Sequence, residues 1–149
     1  MGVSVRPLVG DDRERWSGLW QDYVAFYETT LPQETTDNTW GNLMEPNAGH
    51  QGLVALDEQS RIIGFTHYLI HPSTWTATCY CYLEDLFVEP QARGLGAGRA
   101  LINAVENAAR AEGATRFYLV TQEFNGTARG LYDKTMTLAP FVQYRKLLD

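Results

Sequence analysis

The sequence predicts a mixed α/β fold: a central, mostly antiparallel sheet with one parallel pair, flanked by helices. Three observations carry this. Residues 82–88 are rich in aromatic and β-branched types and are stopped by Pro90, which cannot donate to a sheet ladder. Gly94, Gly96 and Gly98 follow, and then Leu101, Ile102, Val105, Ala108 and Ala109 recur at helical spacing. The remaining elements order as β-α-α-β-β-β-α-β-α-β, so hairpin-joined strands come first and a parallel pair flanks the crossover helix.

Taken in order, residues 3–8 read as a short first strand. Asp11 or Asp12 caps a helix whose apolar stripe is Trp16, Leu19, Trp20, Tyr23, Val24 and Tyr27, ending near Thr29-Thr30 before Pro32. A weaker helix is expected over 36–44, since Pro46, Asn47 and Gly49 mark a loop. Residues 52–57 and 61–70 form a hairpin across the polar turn 57–60, and a loop over 71–76 leads into a long strand over 78–88. The helix after the glycines runs about 16 residues and closes at Gly113. Residues 116–122 are the next strand, Asn125 opens the last helix, and 140–148 is expected as a closing strand.

Composition bounds the function. The 149 residues suit one domain, residues 1–149, able to bury about two-thirds of its unfolded surface. A hydrophobic content of 44% fits an ordinary globular core. The net charge of −6 argues against nucleic-acid binding and leaves cationic small molecules as substrates. Met1-Gly2 is followed by Arg6 where a myristoylation motif requires Ser or Thr. No apolar run reaches membrane-spanning length and no signal peptide is visible, so a cytoplasmic location with no membrane partner is expected. Cys79 and Cys81 read as reduced thiols near the sheet, and His50, His67 and His71 lack zinc spacing, so no metal is expected.

The glycine run is the most informative stretch. A helix start with free N–H groups and no Cβ atoms suits a phosphate, and Arg93 and Arg99 add positive charge beside it. The pattern is not GxxxxGK[ST], and its third glycine comes one position early for a dinucleotide-binding GxGxxG turn. What remains is Gln91-x-x-Gly94-x-Gly96 directly after a strand carrying Glu84-Asp85, with Asn125-x-x-Ala128-x-x-Leu131-Tyr132 further on. This combination resembles the GCN5-related N-acetyltransferase (GNAT) family.

The resemblance implies the GNAT fold, its parallel pair splayed around the acetyl-CoA loop, and acetyl-CoA as cosubstrate. It assigns the loop Arg93, Gly94, Leu95, Gly96, Ala97, Gly98 and Arg99 to the pyrophosphate and Asn125 and Ala128 to the cofactor. Tyr132 becomes the general acid for the departing thiolate. Backbone groups of Leu86, Phe87 and Val88 would serve the pantetheine arm and the thioester oxygen. The strand 82–88 is similar to that of the diamine branch, which includes spermidine/spermine and thialysine acetyltransferases and related microbial histone or amino-acid acetyltransferases. By that likeness Glu84 is the base, acting through water, and Tyr27-Glu28 line the amine site with Asp85. Strand alternation predicts Glu84 and Asp85 on opposite faces.

Two departures matter. The loop His71-Pro72-Ser73-Thr74 lacks the acidic residue that polyamine enzymes use for a distal ammonium, and a common Gly-Phe is here Pro140-Phe141. The expected activity is acetyl transfer to a primary amine of a small molecule: a short diamine, a lysine-like or other amino acid, or a polyamine. The resemblance also implies a homodimer. Two rivals are a protein acetyltransferase, which needs an open peptide groove, and a non-catalytic acyl-CoA-binding domain, which would not keep both Glu84 and Tyr132.

Overall fold

The computed structural model describes residues 2–148, so Met1 of the excluded myristoylation motif lies outside them. Five strands form one sheet in sequence order: β1 (Ser4–Pro7), β2 (His50–Leu56), β3 (Ile62–His71), β4 (Cys79–Val88) and β5 (Ala114–Tyr118). The first three pairings are antiparallel and β4 with β5 is parallel. Helices α1 (Arg13–Phe26) and α2 (Gln33–Met44) cover one face, where Trp16, Leu19, Trp20, Trp40 and Leu43 pack on Val54, Phe65 and Phe87. On the other face lies α3 (Ala97–Ala111), the crossover between the parallel strands. Its buried stripe includes Leu101, Ile102, Val105 and Ala109, each Leu or Ile contributing about 1.5–3 kcal/mol by burial. A fourth helix, α4 (Gly126–Thr135), follows β5.

The boundaries differ from expectation where local hydrogen bonds decide them. Helix α1 ends at Phe26, before Thr29-Thr30, because Thr29 N–H bonds Val24 O and Glu28 N–H bonds Ala25 O, a Schellman closure. Glu28 occupies the left-handed position of that closure, with φ 55°. Helix α2 starts three residues early, at Gln33, directly after Pro32. Asp12 does not cap α1 with its side chain; its carboxylate instead accepts from Val9 N–H and, bidentately, from Arg6. That guanidinium holds the Asp12 carboxyl below the usual range.

Two strand expectations fail. Strand β5 stops at Tyr118 and does not continue through 119–122, since its pairing with β4 ends at Tyr82–Tyr118. The segment 140–148 carries strand-forming residues but pairs with no strand among the described residues. Its large side chains stand in solvent, Phe141 and Tyr144 more than four-fifths exposed. A strand needs a ladder partner, and the free edge of β5 is left without one here.

One carboxylate ties the helical layer to the sheet just before the glycine run. Glu89, 9% exposed, accepts from Arg15 at 2.6 Å and from Arg61, while Arg15 also donates to Ile62 O at 2.9 Å. Its own N–H bonds Ile63 O. Replacing Glu89 with Gln should destabilise the fold by about 2–4 kcal/mol, because two guanidinium groups lose their common partner. Urea unfolding measures this; a change under about 0.5 kcal/mol would mean the arginines are fully served by water.

Candidate active site

Beyond Tyr82, β4 has no strand on its β5 side, and the gap becomes a cleft of about 450 Å³ between β4, the glycine turn, α1 and α4. The cleft brings together Leu86, Phe87, Val88, Arg93, Gly94, Gly96, Ala97, Gly98 and Arg99 with Asn125, Ala128 and Tyr132 from α4 and Tyr27 from α1. Most residues expected at a cofactor therefore converge. Leu95 does not line it and is exposed.

The geometry of the turn suits an anion. Gly94 and Gly96 have φ of 90° and 88°, and a Cβ at either would meet nothing within 4 Å. Space is kept there although no protein atom uses it. Gly96 is the N-cap of α3, and the helix's first bond within this turn runs from Ala100 N–H to Gly96 O. The N–H groups ahead of it lack carbonyl partners within the helix and point out of its positive end. Gly98 serves packing: a Cβ would come within 3.0 Å of Leu131. A diphosphate fits these residues by charge, donor geometry and room.

At the opposite wall, Asn125 Oδ1 accepts Ala128 N–H at 3.3 Å and starts α4. Two turns on, Tyr132 is largely shielded, and burial, with the Tyr27 phenol beside it, pushes its pKa up to about 12. Among the described residues its hydroxyl has no hydrogen-bond partner. It is a protonated donor over the physiological range.

The carboxylates sit differently from expectation. His67 pairs with Asp85 and Tyr68 with Leu83, so Glu84 is the extra residue of a β-bulge. Leu83 and Leu86 both pack on the α3 side, whereas Asp85 reaches Tyr23 and His67 on the α1 side. Glu84 bonds His50 Nε2 at 2.8 Å, and His50 lies two and four residues from Gly52 and Val54 of the α1–α2 face. The bulge thus puts both carboxylates on one face, correcting the opposite-face expectation. Neither lines the cleft; nor does Glu28, which is exposed at the end of α1.

Several site residues were not anticipated. Tyr23 lines the cleft and donates to Asp85 Oδ1 at 2.9 Å; burial, then the Asp85 charge, raises its pKa. Its place four residues before Tyr27 on the same helical stripe was a usable signal. Phe26, Ala92, Thr127 and Leu131 also line the cleft. His50 and His67 could not have been found, because only the strand register shows which carboxylate each meets.

A sheet parted beside a bare helix start, with the Tyr132 phenol lining the same cleft, is an arrangement suited to coenzyme-dependent group transfer. The family described as Acetyltransferase (GNAT) family matches residues 16–137, and the chain belongs to it; it is an N-acetyltransferase by class. It is 34% identical to the D-amino-acid N-acetyltransferase HPA3 of Saccharomyces cerevisiae over 97% of this chain and 90% of that protein. It is 38% identical to the thialysine N-epsilon-acetyltransferase of Mus musculus, over 49% of this chain and 42% of that one. The solved structure of AAC(6')-Iy in complex with the bisubstrate analogue CoA-S-monomethyl-acetylneamine superposes with TM-score 0.83 at 19% identity, covering 99% of this chain and all of that one. That last likeness concerns the fold.

Proposed function

We propose that the enzyme transfers an acetyl group directly from acetyl-CoA to the primary amine of a small molecule, an amino acid or short diamine. The observation that carries this is the convergence of the bare helix start and the Tyr132 phenol on one cleft. The amine nitrogen attacks the thioester carbonyl, the C–S bond breaks, and the thiolate takes the Tyr132 proton. The amine's proton leaves through water to Glu84, which is 43% exposed and hydrogen-bonded to His50. Backbone groups of Leu86, Phe87 and Val88 line the path of the acyl arm, where β4 has no neighbour on its β5 side.

Relatives named for D-amino-acid and thialysine acetylation support an amino-acid amine. The chain's charge of −6 favours a cationic acceptor, and Tyr27, Glu28 and Asp85 are assigned to it. We also assign the enzyme to the cytoplasm, as a homodimer. The unpaired, strand-like segment 140–148 and the open β5 edge support a second copy as partner. No helix among the described residues is long and apolar enough to cross a membrane.

A panel of amines assayed by free-thiol release with acetyl-CoA tests the acceptor. Lysine-like and short diamine substrates should exceed spermine, since the loop at Ser73-Thr74 carries no carboxylate. Activity should rise from pH 6 toward pH 9, because the reactive neutral amine gains about tenfold per unit below its pKa of about 10.4. Tyr132, near 12, gives no falling limb in that range. Glu28→Gln should chiefly raise KM for dications. Spermine as the best substrate, or equal loss of neutral and dicationic amines in Glu28→Gln, would refute this acceptor site.

A further inference from the structure

We propose that His67 is a positioning residue for the acceptor: as the neutral Nδ1–H tautomer, it holds the Asp85 carboxylate in one orientation against Tyr23. This rests on the reading of Asp85 as part of the amine site. The indole Nε1–H of Trp16 donates to His67 Nε2 at 3.0 Å. Indole is a donor only, so Nε2 must be an acceptor and the ring proton sits on Nδ1. Nδ1 then donates to Asp85 Oδ2 at 2.9 Å, and Tyr23 donates to Oδ1 at 2.9 Å. A charged imidazolium would set one N–H against another, so the geometry admits the neutral ring alone.

The surroundings keep the ring in place. His67 is 1% exposed, with the rings of Trp16, Trp20 and Phe65 centred 4.8–6.0 Å from its own. The packed rings oppose rotation and Trp16 occupies Nε2, so the ring serves as a fixed donor. A neutral donor also leaves the Asp85 charge uncancelled for a cationic acceptor. Because Tyr23 lines the cleft, the carboxylate and that wall are locked as one unit. Such a carboxylate is preorganised for an ammonium group and loses little freedom when one binds.

The test uses the full chain in two parts. Nitrogen-15 NMR of labelled histidine should show a single Nδ1–H tautomer for His67, becoming mixed in Trp16→Phe. In kinetics, His67→Phe should raise acceptor KM about 10–100-fold, with acetyl-CoA KM within about twofold. His67→Asn, whose amide nitrogen occupies the Nδ1 position, should recover most of that loss. An Nε2–H tautomer, equal damage in the Asn and Phe variants, or a parallel fall in acetyl-CoA binding would overturn the proposal. Trp16→Phe tests the same lock should His67→Phe fail to fold: an unchanged tautomer and acceptor KM would overturn it too. A wild-type enzyme that acetylates no amine would instead refute the function, and the acceptor role with it, while leaving the tautomer visible.

Discussion

Replacing Tyr132 with Phe is expected to slow turnover by about 10²–10⁴-fold while acetyl-CoA affinity changes little. The ring stays, so the packing of α4 against the cleft is kept and only the hydroxyl is lost. In the proposed reaction that hydroxyl supplies the proton for the departing thiolate. Burial pushes the Tyr132 phenol up to about 12, so it holds its proton over the physiological range and can donate it. Steady-state thiol release gives kcat, and calorimetry with CoA gives affinity. A Phe variant with full turnover would mean that water protonates the sulfur.

Gly96→Asp should abolish CoA binding, by at least about 10³-fold, while the protein stays folded. A carboxylate about 4 Å from a phosphate charge costs about 4 kcal/mol at the effective dielectric of a protein surface, which is nearly a thousandfold. Bulk and backbone strain add to this, and Gly96→Asn separates them. Asn has nearly the same shape and tolerates the left-handed region as Asp does, but carries no charge. Asn should therefore bind CoA more weakly than wild type and far better than Asp. Unchanged affinity in Gly96→Asp, measured by calorimetry, would remove the glycine turn from the site.

The parts of this site legible in the sequence are those defined by neighbours along the chain. A strand halted by Pro90, glycines at 94, 96 and 98 and the apolar stripe from Leu101 mark a strand, a bare turn and a helix start, and the structure has all three. The run from Asn125 to Tyr132 likewise spaces its cap and its phenol by helical geometry alone, and α4 has both as expected.

What tertiary structure alone decided concerns pairings between distant segments. Alternation predicts a face only while the ladder keeps step, and the single extra residue at Glu84 reverses the parity from there on. That bulge brings Glu84 and Asp85 to one face, where His50 and His67 reach them from strands 34 and 18 residues away. The end of the β4–β5 pairing at Tyr82 and Tyr118 likewise closes β5 and leaves the cleft beside β4. Residues 140–148 have strand-forming side chains, yet a strand exists only where an edge accepts its hydrogen bonds. Propensity is a property of the segment; register, bulges and edges belong to its partners, and these exist only once the chain has folded.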